Sequence, residues 1–323
     1  MGCNVRLGAF GSGFRVCRSG PKLTSRAGGG YYPGVTSVID LHSHTNCSDG
    51  SATPAELVWL AASAGAAAVA ITDHDTLAGL AEGRAAAQEA GIEFINGVEI
   101  SAEFHPGTMH ILGYLIDESS TELNAALEEL RRARLERNPQ IAARLQELGM
   151  DVPYEEVAGL AGNEVVGRPH FASLLVRKGY VDTIKEAFDR FLAKGTPAYV
   201  EKRRLSPADS IAVIRAAGGV AVLAHPYQMQ LSDEDTETQV RQLKALGLDG
   251  IEAIYSRLSQ SERDRYARLA RRLDLLVTGG SDFHGSFKPD IRIVSGLGDL
   301  EVPYERLAEI KARSATRPRP ECA

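Results

Sequence analysis

From residue 38 onward the chain repeats one pattern: a short β-branched, apolar run followed by an Ala-rich helical stretch. The runs read VIDL (38–41), AVAIT (68–72), FINGVEI (94–100), HILGYLI (110–116), VAVLA (220–224), GIEAI (250–254) and LLVTGG (275–280). Helix starts punctuate the intervals. Thr53-Pro54-Ala55-Glu56 is a capping box with Pro at the first helical position, opening a helix that should end near Gly65. Ser206-Pro207-Ala208-Asp209 opens another that should end near Gly218-Gly219. Strands alternating with helices over this length predict the α/β class, as a barrel or a doubly wound sheet.

Two stretches break the alternation. Residues 118–195 carry helical periodicity without a strand and include the basic segment LRRARLERNPQIAARLQELG, so they read as a helical insertion or cap domain. The barrel would then comprise residues 37–117 and 196–323. Residues 1–36 are rich in Gly, Ser and Arg and contain no Asp or Glu. They read as a disordered or non-native basic extension; without an apolar core segment, a secretory signal is not expected. The four cysteines form no CxxC pair, and the longest apolar run, near residues 57–72, is too short to span a bilayer. A cytoplasmic protein is expected. The net charge of −6 excludes a broad basic surface for duplex nucleic acid, so an anionic substrate would need bound cations or a local arginine cluster.

The histidines are not scattered at random along this pattern. His42 and His44 follow the first run, His74 the second, His225 the fifth, and Asp282 and His284 the seventh. Glu99 lies near the end of the third, and Asp49 follows five residues after His44. In a parallel barrel these strand ends open on one face. His110 instead begins its run, and it joins the others only if residues 99–115 form a hairpin around Pro106-Gly107. His42 and His44, two apart on an extended segment, point the same way. Mixed imidazole and carboxylate donors suit Mn²⁺, Fe²⁺ or Zn²⁺ better than a Ca²⁺ cage. Nine donors exceed what one ion takes, so two or three divalent ions are implied, with Glu99 as a bridge.

The segments DLHSHTNCSDG (40–50), ITDHDT (71–76), GVEIS (97–101), MHILGY (109–114), LAHP (223–226) and SDFHG (281–285) resemble, in order and spacing, the motifs of the polymerase and histidinol phosphatase (PHP) superfamily. The resemblance implies a distorted (β/α)7 barrel with a trinuclear site. His42, His44, Glu99 and Asp282 would hold one ion, Glu99, His110 and His225 a second, and Asp49, His74 and His284 a third, with Mn²⁺ the expected metal. It is closest to the branch that removes the 3′-phosphate of nucleoside 3′,5′-bisphosphates and in part trims short 5′-phosphorylated RNA. A histidinol-phosphate-type phosphatase, a polymerase-associated proofreading module, an amidohydrolase and an inactive metal- or nucleotide-binding module are the rival readings.

VGRPHFA (166–172) resembles a motif of that branch. It marks Arg168 and His170 as catalytic or substrate contacts; His284, a ligand in SDFHG, is a further expected substrate contact. Arg134, Arg137 and Asn138 are further candidate substrate contacts on the basic stretch. Asp75 or His170 is the expected proton donor to the leaving hydroxyl. Asp40 and Asp73 are expected to orient ligating imidazoles from behind.

Overall fold

The computed structural model describes residues 37–161 and 166–316. The first 36 residues, expected to form an extension, lie outside the described residues. Each of the seven apolar runs forms a strand: β1 (Ile39–Asp40), β2 (Ala68–Ile71), β3 (Glu93–Ala102), β4 (Met109–Tyr114), β5 (Val220–Leu223), β6 (Gly250–Tyr255) and β7 (Leu276–Gly280). They pair in sequence order. β1, β2 and β3 run parallel, as do β5, β6 and β7, while β4 is antiparallel to both of its neighbours.

The reversed strand settles the position of His110. In a β3–β4 hairpin the start of β4 lies beside the end of β3, and Ser101 pairs with His110. A residue that opens its strand thereby reaches the rim where the other strands finish.

Helices α1 (Pro54–Ser63) and α2 (Leu80–Ala90) follow the first two strands. The Thr53 hydroxyl and Glu56 carboxylate close the expected capping box on α1. After β4 come α3 (Thr121–Glu147), α4 (Tyr154–Ala161), α5 (Arg168–Arg177) and the short α6 (Ile184–Ala187), which runs into a π turn. α7 (Pro207–Ala216), capped by Ser206, α8 (Asp233–Ala245), α9 (Gln260–Arg272) and α10 (Glu305–Ala315) complete the outer layer. The first half of α3 buries Leu123, Leu127 and Leu130 with barrel residues such as Ile211 and Ile214. Its second half buries Ile141 and Leu145 in a separate cluster with Phe171 and Leu175 of α5. One 27-residue helix therefore joins two apolar cores.

The sheet is nearly closed into a barrel, and its seam is made by site residues. Leu41 N–H donates to the Gly279 carbonyl (3.3 Å), Asp282 N–H to the His42 carbonyl (2.8 Å), and His44 N–H to the Phe283 carbonyl (2.9 Å). Gly280 permits this approach, because a Cβ there would stand 2.4 Å from the His42 backbone nitrogen. Overpacking of this kind typically costs about 1–3 kcal/mol. Gly280→Ala is therefore expected to lower the unfolding free energy measured in urea by an amount in that range and to weaken metal binding with it. Titrating the variant and the wild type side by side checks both effects.

Candidate metal centre

The loop after β1 has to turn sharply to bring Asp49 back toward His44. Gly50 makes this possible, since a Cβ there would meet the His44 carbonyl oxygen at 2.2 Å. Asp73 ties the loop down: its carboxylate accepts from Thr45 N–H (2.8 Å), Thr45 Oγ1 (2.6 Å) and Ser48 Oγ (2.5 Å). Asp40 accepts from the backbone N–H of His42 (3.2 Å), Ser281 (2.9 Å) and Val294 (2.8 Å), stitching β1 to the far side of the seam. Neither carboxylate touches an imidazole, so the expectation that they orient ligating rings is corrected. They orient the backbone that carries the rings.

All nine expected donors meet in one place. Glu99 is fully buried at the centre. Its Oε2 lies 3.2 Å from His42 Nε2, 3.1 Å from His44 Nε2 and 3.2 Å from His74 Nδ1. Its Oε1 lies 2.8 Å from His110 Nδ1 and 2.9 Å from His225 Nε2. Each carboxylate oxygen thus faces its own set of rings, as a bridging carboxylate would. Asp282 Oδ1 stands 3.6 Å from His42 Nε2 and 3.4 Å from His44 Nε2. Asp49 lies 3.7 Å from His44 Nδ1, 3.7 Å from His74 Nε2 and 3.3 Å from His284 Nε2.

Four groups of donors fall within one ion's reach: His44, Asp49, His74 and His284; His42, Glu99 and His225; His42, His44 and Asp282; and His74, Glu99 and His110. His44 and His74 stand between groups, so the donor set is more interwoven than three separate clusters.

The donors fit divalent ions. Ligands held about 2.0–2.2 Å from an ion lie roughly 3.0 Å apart at right angles and about 3.4 Å at tetrahedral angles, close to most of the spacings found here. His42 Nε2 and His44 Nε2 face each other at 3.1 Å. His44 Nδ1, His74 Nδ1 and His225 Nδ1 are buried without a hydrogen bond. The electrostatics agree. Burial opposes charge on His44, yet Asp282, Glu99 and Asp49 push it up to about 9. Burial likewise opposes ionisation of Glu99, yet His74, His42 and His110 hold its carboxyl well below the usual range. The acids stay ionised, while burial holds His74, His110 and His284 toward the neutral form that can donate to a metal. Three residues here also adopt positive φ: Asp75 (58°), His225 (23°) and Asp282 (58°), a backbone strain common at functional sites.

A cavity of about 920 Å³ opens on the cluster. Arg134, Arg137 and Arg168 line it, as do Lys202, Arg204, Arg257 and Lys288. Arg134 and Lys202 are both held by Asp75, whose Oδ2 accepts from Arg134 Nη2 (2.6 Å) and Lys202 Nζ (2.8 Å). Burial raises the Asp75 carboxyl, but Lys202 and Arg134 outweigh it and hold it far below the usual range. Asp75 is therefore corrected from a proton donor to an anchoring carboxylate. His170 Nδ1 accepts from Gly167 N–H (3.0 Å) at the start of α5, and its ring packs edge-on against Phe287, which lines the cavity. Asn138 is fully buried, accepts from Arg137 Nη2 (2.7 Å) and donates to the Val166 carbonyl (2.7 Å). It positions Arg137 and does not itself face the cavity.

Sequence reasoning missed four residues. Glu252 accepts from His42, Tyr255 donates to Asp282 Oδ2 (2.6 Å), Lys288 pairs with the same oxygen (2.6 Å), and Lys202 lines the cavity. Glu252 carried a readable signal, a carboxylate inside an otherwise apolar strand.

An α/β barrel whose rim gathers imidazoles and carboxylates beneath a cationic cavity defines a metal-dependent phosphoesterase. Residues 40–200 match the PHP domain. The 3′,5′-nucleoside bisphosphate phosphatase of Chromobacterium violaceum is 38% identical over 247 residues, 76% of this chain and 87% of that protein. The 5′-3′ exoribonuclease of Haemophilus influenzae is 36% identical over 250 residues, 77% of this chain and 91% of that protein. Among solved structures, a candidate metal-dependent phosphoesterase from Bifidobacterium adolescentis superposes with a TM-score of 0.78 at 34% identity, covering 86% of this chain and 97% of that one. The chain belongs to the PHP family, and no described helix is long and apolar enough to cross a membrane.

Proposed function

We propose that this chain removes the 3′-phosphate of nucleoside 3′,5′-bisphosphates in the cytosol, giving a 5′-mononucleotide and phosphate. One observation carries the reading: the cavity over the donor cluster holds the buried Arg137 and the half-buried Arg168, whose hydrogen bonds among the described residues go to neutral oxygens. Arg137 is bonded to Asn138 Oδ1 and Arg168 Nη1 to the Leu192 carbonyl. A buried charge without an acid partner is costly, and a second phosphate group would supply the missing anion. Arg168 is also braced by the rings of Phe188 and Tyr199, which leaves its planar fork pre-set for bidentate contact.

His42, His44, Asp49, His74, Glu99, His110, His225, Asp282 and His284 would hold two or three ions, Mn²⁺ in our reading. Bound ions would supply Lewis-acid polarisation of the phosphoryl oxygens and lower the pKa of water. The side chains do the rest. Glu99 keeps the donor sets in register, Asp75 aims Arg134 and Lys202 into the cavity, and Arg137 and Arg168 fix the remote phosphate. Residues 118–195 serve as the cap that delivers three of these arginines. Trimming of short 5′-phosphorylated RNA is a second reading, favoured by the cavity volume, near the upper end for a small-molecule site.

A substrate panel with Mn²⁺ tests the proposal. It compares adenosine 3′,5′-bisphosphate, 5′-phosphorylated oligoribonucleotides and histidinol phosphate. The bisphosphate should turn over with the highest kcat/KM. A preference for histidinol phosphate would overturn the reading.

A further inference from the structure

We infer that Glu252 is a positioning residue of the metal centre, setting the tautomer of one ligating ring and the backbone of another. The inference rests on the reading of the donor cluster as a metal site. Glu252 sits inside β6, fully buried. Its Oε1 lies 2.8 Å from His42 Nδ1, and its Oε2 accepts from His225 N–H at 2.8 Å. Both oxygens thus serve donor residues, one shortly after β1 and one shortly after β5.

The chemistry of each contact is specific. An ionised carboxylate only accepts, so the proton of a neutral His42 must be on Nδ1. That leaves the Nε2 lone pair facing Glu99 Oε2, His44 Nε2 and Asp282 Oδ1. At His225 the backbone has φ 23° and ψ 66°, a region that a β-carbon disfavours. The bond from His225 N–H to Glu252 holds this conformation, which presents His225 Nε2 to Glu99 Oε1 at 2.9 Å. His42 lies on the Oε2 side of Glu99 and His225 on the Oε1 side. A single carboxylate therefore supports both halves of the cluster.

Glu252→Gln separates positioning from packing, because the amide keeps the volume. An amide N–H turned to His42 Nδ1 would force the ring proton onto Nε2 and remove that lone pair. Turned the other way, it would oppose His225 N–H. Substituting such partners typically weakens metal binding 10- to 100-fold.

The experiment is metal analysis of the full chain after dialysis against Mn²⁺, with circular dichroism and thermal unfolding of the metal-free forms. Wild type should bind two or three ions. Glu252→Gln should fold alike yet bind at least one ion fewer, or bind Mn²⁺ at least tenfold more weakly. Equal loading would overturn the inference and leave the metal reading intact. A wild type that binds no Mn²⁺ would overturn both. Should the variant not fold, ¹⁵N-histidine spectra of Zn²⁺-loaded wild type decide: a proton on His42 Nδ1 supports the role, and one on Nε2 refutes it.

Discussion

Replacing Glu99 with Gln is expected to cut Mn²⁺-dependent phosphate release by at least about a thousandfold, on the order of 4 kcal/mol of lost transition-state stabilisation. The reason is its place in the cluster. His42, His44 and His74 face one oxygen, and His110 and His225 face the other. An amide keeps one acceptor, loses the charge, and turns an N–H toward one set of rings. Burial opposes charge on Glu99, and only the surrounding imidazoles keep it ionised. The same loss should appear as fewer bound ions. Phosphate release and metal content, measured on one preparation, check both parts.

Asp75→Asn should have the largest effect on stability. Asp75 is the shared anion of buried Arg134 and Lys202, and removing one partner of a buried ion pair typically costs about 3–5 kcal/mol. Lys202 is already pushed down to about 7 by burial and by Arg134, against the pull of Asp75. Without Asp75 it should lose its proton. A double substitution, Asp75→Asn with Lys202→Met, should therefore recover part of the loss, which a double-mutant cycle in urea would show. The pH dependence follows from the depressed Asp75 carboxyl. Its contribution is present above the ordinary carboxylate range and is lost only as pH falls through the lower folded value. The gap between wild type and Asp75→Asn should thus stay open near neutrality and narrow in acid.

The α/β class was readable because the strands are β-branched runs bounded by capped helices, and period and punctuation are local properties; the barrel closure came from the family resemblance. The hairpin that brings in His110 was only a condition in the sequence, and the antiparallel pairing of β3 and β4 met it. The donor types at strand ends identified the cluster. The direction of individual side chains was not readable. Asp40 and Asp73 stand next to histidines in sequence, yet their acceptors meet backbone and hydroxyl groups. The carboxylate that does meet a ring, Glu252, is 210 residues from His42 along the chain. Asn138 lies in a stretch that suggests substrate contact, but Arg137 and the Val166 carbonyl engage it instead. Lys202 sits in the charged run EKRR and carries no motif, yet folding buries it against Asp75.

On the proposed reading the donor cluster and the guanidiniums act on one doubly phosphorylated nucleotide, with the 3′-ester at the metals. ³¹P NMR of adenosine 3′,5′-bisphosphate incubated with the Mn²⁺-loaded chain tests it most directly. The expected products are inorganic phosphate and adenosine 5′-phosphate, with turnover abolished by chelation and restored by Mn²⁺. Adenosine 3′-phosphate as the product, or turnover that survives chelation, would contradict it.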